Sequence, residues 1–258
     1  MALYKETSGT GPDIVLLHGW GLHGGVFDPV IGRLAKRHRV TRIDLPGHGR
    51  SRDVLPQGGL DGWVEALAAV APPRAVWLGW SLGGMLALRL ARQLPARVHG
   101  LLLCCTTPKF VAAPDWPPAQ QAATLARFAA DLRQDYRATV QQFLALQVQG
   151  DDCARAVLRD LRARVFAHGD PHPDGLAGGL AILRDTDLRK ALPDIAVPAR
   201  VIMGQHDRLT PPAAGEYLVR QLPRAQYHVV PRAAHAPFLS HPDEFLQHTQ
   251  TFLEQLND

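Results

Sequence analysis

Ala75-Val76-Trp77-Leu78-Gly79-Trp80-Ser81-Leu82-Gly83-Gly84 passes from an apolar run into a segment of helical spacing, residues 82–93. It contains G-x-S-x-G. A strand that turns sharply into a helix lifts a serine hydroxyl above the edge of a sheet. Small residues two positions to either side let strand and helix approach without clash. The helix N-terminus also favours the negative charge that develops in such a turn. The chain has four serines, Ser8, Ser51, Ser81 and Ser240, and only Ser81 lies in this setting. Ser81 is therefore the candidate nucleophile.

Similar apolar runs occupy residues 14–17, 40–44, 101–105, 199–203 and 226–230, and helix-like segments lie at 26–36, 60–70, 213–221 and 242–256. Short apolar strands alternating with helices predict crossovers and a mostly parallel sheet buried on both faces. The strand pattern stops between residues 106 and 187. A loop that long is improbable in a compact domain. Leu125, Phe128, Ala129 and Leu132, then Val157, Leu158, Leu161 and Val165, recur instead at spacings of three and four. The expected organisation is one catalytic domain, with a core of residues 1–108 and 187–258 and a helical lid of residues 109–186.

Composition narrows the class. At 258 residues, with 46% apolar and 20% charged, the chain is ordinary globular material. Gly and Pro, 23 + 21 = 44, are too few for low complexity. A net charge of +4 without a block of like charges does not imply nucleic acid. Cys104, Cys105 and Cys153 read as thiols in a reducing compartment, the first two within an apolar run. No C-x-x-C spacing suggests a metal. Residues 1–7 lack an apolar signal core, and no run of 18 apolar residues occurs. A cytoplasmic enzyme or binding domain is expected, without membrane contact.

A serine nucleophile needs a base and an orienting acid. His235, in Pro231-Arg232-Ala233-Ala234-His235-Ala236-Pro237-Phe238, follows the last strand at the sheet edge where Ser81 sits. Asp207, in Gly204-Gln205-His206-Asp207-Arg208-Leu209-Thr210, follows the preceding strand at the same edge. Asp194 precedes that strand and falls at the wrong end, and His206 is read as a neighbour of the acid. Two backbone N–H donors complete an oxyanion hole: that of Leu82, after the nucleophile, and that of Trp20, in the loop His18-Gly19-Trp20-Gly21 after an early strand. The Trp20 side chain is expected to wall the pocket. No phosphate-binding glycine motif occurs, and no cluster calls for a metal or an organic cofactor.

HGWGL (18–22), DLPGHGRS (44–51), WLGWSLGG (77–84), FLALQ (143–147), GGLAIL (178–183) with DLR (187–189), and AAHAPFLSHP (233–242) occur in this order. The chain resembles the BioH-type pimeloyl-[acyl-carrier protein] methyl ester esterases of biotin synthesis, nearly end to end and including the lid. The resemblance implies an α/β-hydrolase fold, a mostly parallel twisted sheet flanked by helices with an inserted helical lid. It implies Ser81, Asp207 and His235 as catalytic triad. It also implies substrate contacts from Trp20, Leu82, Phe143, Leu144, Ala145, Leu146 and Gln147, and no cofactor. The implied substrate and transient partner is the methyl ester of pimeloyl-acyl carrier protein. Independently of the resemblance, a monomer that binds neither nucleic acid nor membrane is expected.

Arg155, Arg159 and Arg162 share one face of a helix expected over residues 151–167, opposite Val157, Leu158, Leu161 and Val165. With Arg137 they form the expected docking surface for an acidic carrier protein, although Asp160 offsets part of the charge. Gln142 stands where relatives can carry a basic residue, and Phe27 and His48 stand where relatives often have another aromatic. Phe128, Phe143, Leu144, Leu146 and Trp116 are expected to line an apolar channel. The alternative is a general carboxylesterase for short acyl esters, with the same fold and triad. A binding protein on this fold would usually lack a triad member. Dehalogenases and epoxide hydrolases on this fold use an aspartate nucleophile, unlike Ser81.

Overall fold

The apolar runs become strands. In the computed structural model, which describes residues 1–256, β1 spans Lys5–Ser8, β2 Asp13–Leu17, β3 Arg39–Ile43, β4 Ala75–Trp80, β5 Val98–Cys104, β6 Ala199–Gly204 and β7 Ala225–Val230. They form one sheet in the order β1-β3-β2-β4-β5-β6-β7. Every pairing from β3 to β7 is parallel, and β1 runs antiparallel to β3. All residues of β4 and β6 are buried. This explains why their sequences read as continuous apolar runs and not as alternations.

Helices α1 (Asp28–Leu34), α2 (Gly59–Val70), α3 (Leu82–Gln93), α8 (Pro212–Gln221), the single turn α9 (Pro237–Ser240) and α10 (Pro242–Gln255) belong to the strand-bearing parts of the chain. Between β5 and β6 lie α4 (Ala122–Gln134), α5 (Tyr136–Gln147), α6 (Ala154–Val165) and α7 (Pro173–Asp185). A 12-residue helix such as α6 is marginal by itself in water. Its buried stripe of Val157, Leu161 and Val165 supplies ~1.5–3 kcal/mol per fully buried side chain.

The topology places the functional crevice. From β2 the chain crosses to β3 on one side, then returns past β2 to β4 on the other. The carboxyl ends of β2 and β4 flank this reversal of strand order, where open α/β sheets form their ligand crevices. The chain elements are close there. A Cβ at Gly83 would lie 2.3 Å from the Leu17 carbonyl oxygen, and one at Gly84 2.5 Å from Thr106 Oγ1. Larger residues at either position would push the start of α3 away from β2 or β5.

Three local differences from the sequence reading have physical causes. Strand β1, Lys5-Glu6-Thr7-Ser8, has no apolar run. Its pairing with β3 is reinforced by Arg42 on Glu6 at 2.7 Å and by Thr7 with Thr41 at 3.0 Å. Cys105 lies outside β5, with a φ of 42° that no strand residue adopts. Helix α6 begins at Ala154 because residues 151–153 are used in a tight turn, with Asp151 accepting from the Cys153 N–H at 2.8 Å.

Candidate active site

Ser81 sits between β4 and α3 with φ 55° and ψ −118°. A non-glycine residue there carries strain of ~1–3 kcal/mol and persists only where its surroundings impose it. The imposing contacts are visible. The Ser81 N–H donates to the Cys104 carbonyl at 3.1 Å. The Ser81 carbonyl accepts from Thr106 Oγ1 at 2.7 Å. Ser81 is buried, and its Oγ makes no hydrogen bond among the described residues, so the hydroxyl remains free to turn.

Asp207 follows β6, and His235 follows β7, as the chain order predicted. His235 Nδ1 lies 2.8 Å from Asp207 Oδ2, and both side chains are almost wholly excluded from solvent. The Asp207 carboxylate is fully engaged. Oδ1 accepts the N–H groups of Leu209 and Thr210 at 2.9 and 3.0 Å. Oδ2 accepts the Thr210 hydroxyl at 2.7 Å as well as His235. Four donors surround this buried carboxylate and direct one of its oxygens at the imidazole. His235 Nε2 is thereby the ring nitrogen left for a reacting group. Trp80, beside Ser81, donates from Nε1 to the His235 carbonyl at 2.7 Å. Thr210 was not singled out from sequence, although a hydroxyl three residues after an aspartate is a recognisable turn pattern. His206 turns away and bonds the Gly150 carbonyl at 2.6 Å.

The His18–Gly21 loop lies against Ser81: a Cβ on Gly19 would come within 3.3 Å of Ser81 Cβ. The backbone N–H groups of Trp20 and Leu82 donate to no protein acceptor among the described residues. His18 locks the loop. It accepts from the Leu45 N–H at Nε2, which makes Nδ1 the protonated nitrogen, bonded to the Gly19 carbonyl at 2.8 Å. Burial pushes its pKa down to about 3. His48 in the next loop is also buried, with its pKa pushed down to about 4 by desolvation, and its Nε2 has no partner.

The Trp20 indole donates to the Leu176 carbonyl of α7 at 2.9 Å and meets Phe128 and Phe143 edge-on, each at 5.3 Å between centroids. Gly179 permits this approach, since a Cβ there would sit 2.7 Å from the indole. A small apolar cavity is lined here by Trp20, Phe128, Phe143, Leu146, Leu180 and Leu209, among others. Phe143 and Leu146 thus reach the cavity. Leu144 and Gln147 are buried but lie outside its lining, and Ala145 also lies outside it. Trp116 is not part of it. Its ring packs on Tyr217 at 4.9 Å and its Nε1 donates to the Lys109 carbonyl.

Arg155, Arg159 and Arg162 are exposed on α6 and form no ion pair among the described residues. Asp160 does not offset them as expected, because Arg164 takes it at 2.8 Å. Arg137 differs, being paired with Asp170 at 2.6 Å.

Three groups of side chains could be asked to hold a metal. In Cys105, Asp207 and His235, burial raises the thiol pKa well above its ordinary value, and the imidazole is bonded to Asp207. In His228, Glu244 and His248 the two rings stack at 3.4 Å, so one ion cannot lie in both ring planes. In Asp151, Asp152 and His241, both Asp151 oxygens accept backbone N–H groups. Each group is explained by protein contacts.

The fold, the strained serine turn and the buried acid–imidazole pair define a class. The alpha/beta hydrolase family matches residues 14–248, and the chain belongs to it. Within that class, a pimeloyl-[acyl-carrier protein] methyl ester esterase of Xanthomonas oryzae pv. oryzae (strain MAFF 311018) is 47% identical, covering 97% of this chain and 98% of the relative. One of Stenotrophomonas maltophilia (strain K279a) is 44% identical over 99% and 98%. The chain therefore belongs with the pimeloyl-[acyl-carrier protein] methyl ester esterases. A thermophilic esterase from Thermogutta terrifontis superposes with a TM-score of 0.85 at 25% identity, covering 99% and 94% of the two chains. No helix among the described residues is long and apolar enough to cross a membrane.

Proposed function

We propose that the chain hydrolyses the methyl ester of pimeloyl-[acyl-carrier protein] to methanol and pimeloyl-[acyl-carrier protein] in biotin synthesis. It acts in the cytoplasm as a monomer. Residues 1–108 and 187–258 form one catalytic core, and residues 109–186 form its lid. Ser81 Oγ adds to the ester carbonyl while His235 Nε2 takes its proton. The Trp20 and Leu82 N–H groups hold the oxyanion. Collapse breaks the C–OCH₃ bond, and the proton on His235 leaves with methanol. Water, deprotonated by the same imidazole, adds to the acyl-enzyme carbonyl. Ser81 then departs with the proton and the acid is released. Asp207 keeps the ring oriented and stabilises its charged form. The apolar wall at Trp20, Phe128 and Phe143 suits the methylene chain. Arg155, Arg159 and Arg162, with Arg137, suit an acidic carrier protein.

The observation that carries this reading is the buried 2.8 Å pair of His235 and Asp207 at the edge where Ser81 stands. The test is methanol release from the carrier-bound methyl ester by wild type and Ser81→Ala, with fluorophosphonate labelling. Loss of up to ~10⁶ in turnover is expected on removing the nucleophile, with labelling abolished. Undiminished methanol release by the variant would contradict the mechanism.

A further inference from the structure

The segment after His235's strand is not held by the core alone. The end of α5 and the loop joining α5 to α6 are bonded to it at several points. The His235 N–H donates to the Gln147 carbonyl at 3.0 Å, and the Asp152 N–H donates to the Arg232 carbonyl at 3.3 Å. Asp152 pairs with Arg232 at 3.3 Å and with His241 at 3.2 Å. The His206 ring, next to Asp207, meets the Gly150 carbonyl at 2.6 Å. At the centre stands Asp151, a carboxylate only 8% exposed. Its Oδ1 accepts the Cys153 N–H at 2.8 Å, and its Oδ2 accepts the N–H of Ala234, the residue before His235, at 2.7 Å.

We propose that Asp151 is a positioning residue for His235, tying the backbone that carries the imidazole to the loop between α5 and α6. This rests on the reading of His235 as the base. On the other side, the His235 loop lies against β6: a Cβ on Gly204 would come 1.8 Å from the Ala234 carbonyl oxygen. Arg232, two residues before Ala234, has φ 62°, a conformation that needs outside support. The loop therefore sits between a rigid strand end and a charged acceptor that belongs to the helical segment. Charge-assisted bonds of this kind are the stronger class. Removing the carboxylate leaves the Ala234 N–H without its partner and frees the imidazole to drift from Ser81. A displacement of about 1 Å at a reacting group can cost ~10² in rate. Helix α6 starts three residues after Asp151, so a partner bound on its arginine face is one short turn from the same anchor.

The test uses the full chain and p-nitrophenyl acetate, which needs no carrier. Asp151→Ala is expected to lower kcat by about 10- to 100-fold with KM changed by less than about threefold. It should also move the acid limb of the kcat/KM profile and shift or broaden the far-downfield NMR proton of the His235–Asp207 bond. Asp151→Asn keeps one acceptor oxygen and should recover part of the rate. Asp135→Ala is the comparison. It removes an equivalent turn bond, to the Ala138 N–H at 3.0 Å at the start of α5, far from the His235 loop in the chain. It should lower the melting temperature with kcat unchanged. Folded Asp151→Ala with wild-type kcat and an unshifted resonance would overturn the proposal. So would an equal kcat loss in Asp135→Ala, which would mean general loosening of the helical segment. His235→Ala separates the two readings, because retained activity there would refute His235 as base whatever Asp151 does.

Discussion

Acidification should destabilise this protein through two buried histidines, and replacing one should remove a defined share of the effect. Folding holds His18 at a pKa of about 3 and His48 at about 4, against 6.5 for the exposed imidazole. Both folded values lie below the unfolded one. The unfolded chain therefore binds more protons below pH 6.5, and stability is lost as pH falls. From pH 7.5 to pH 5 each imidazole accounts for ~2 kcal/mol, about 4 together, against a usual total of ~5–15. His23, His38 and His248 are lowered by burial too and act in the same direction. The discriminating variant is His48→Phe. It removes a fully buried ring whose Nε2 has no partner, and with it the Nδ1 bond to the Pro46 carbonyl at 2.8 Å. The lost bond lowers stability at pH 7.5 by ~1 kcal/mol. The slope is the informative quantity. Urea unfolding at pH 7.5, 6 and 5 should show His48→Phe losing about 2 kcal/mol less than wild type over this range. Parallel losses in the two proteins would refute the idea that His48 is held neutral in the fold.

Ser81→Gly should abolish esterase activity and yet raise stability by about 1 kcal/mol, roughly 2–4 °C in Tm, because glycine adopts the strained backbone freely; thermal melts with activity assays check this, and a lower Tm would count against strain at the turn. Phe143→Ala should weaken long acyl esters more than acetates, since the ring meets Trp20 at 5.3 Å on the cavity wall. Equal loss on both substrates would remove Phe143 from acyl binding. Asp207→Asn should lower kcat by ~10⁴, through the wrong imidazole tautomer, with little change in KM for p-nitrophenyl acetate.

The sheet was legible because strands buried on both faces must be apolar, as at Ile14-Val15-Leu16-Leu17 and throughout β4. The serine turn was legible because only small residues fit beside it, as the 2.3 Å approach at Gly83 shows. Asp207 and His235 could be selected because each follows a strand at one sheet edge. What sequence could not supply was direction around a helix axis in the segment between β5 and β6. FLALQ reads as one motif, yet Phe143 and Leu146 face the cavity while the Gln147 carbonyl holds the His235 loop. Trp116 had the right chemistry for the cavity but is drawn away by Tyr217 and the Lys109 carbonyl. The Cys153 bond of Asp151 is a local turn, but nothing local signals its tie to Ala234, 83 residues distant. Strand β1 was missed for the opposite reason. Its polar residues have no pattern, and pairing with β3 alone makes it a strand.

The most direct test compares kcat/KM for methyl pimeloyl-carrier protein and for a small methyl ester, in wild type and in a variant with Arg155, Arg159 and Arg162 each changed to Glu. All three guanidinium groups are exposed and unpaired among the described residues. The reversal should therefore act on partner binding and leave the small-ester rate unchanged. A strong preference for the carrier-bound ester, weakened by salt and lost in the variant, is the expected result. Equal hydrolysis of both esters, untouched by salt or by the reversal, would contradict a carrier-bound substrate and leave a general carboxylesterase.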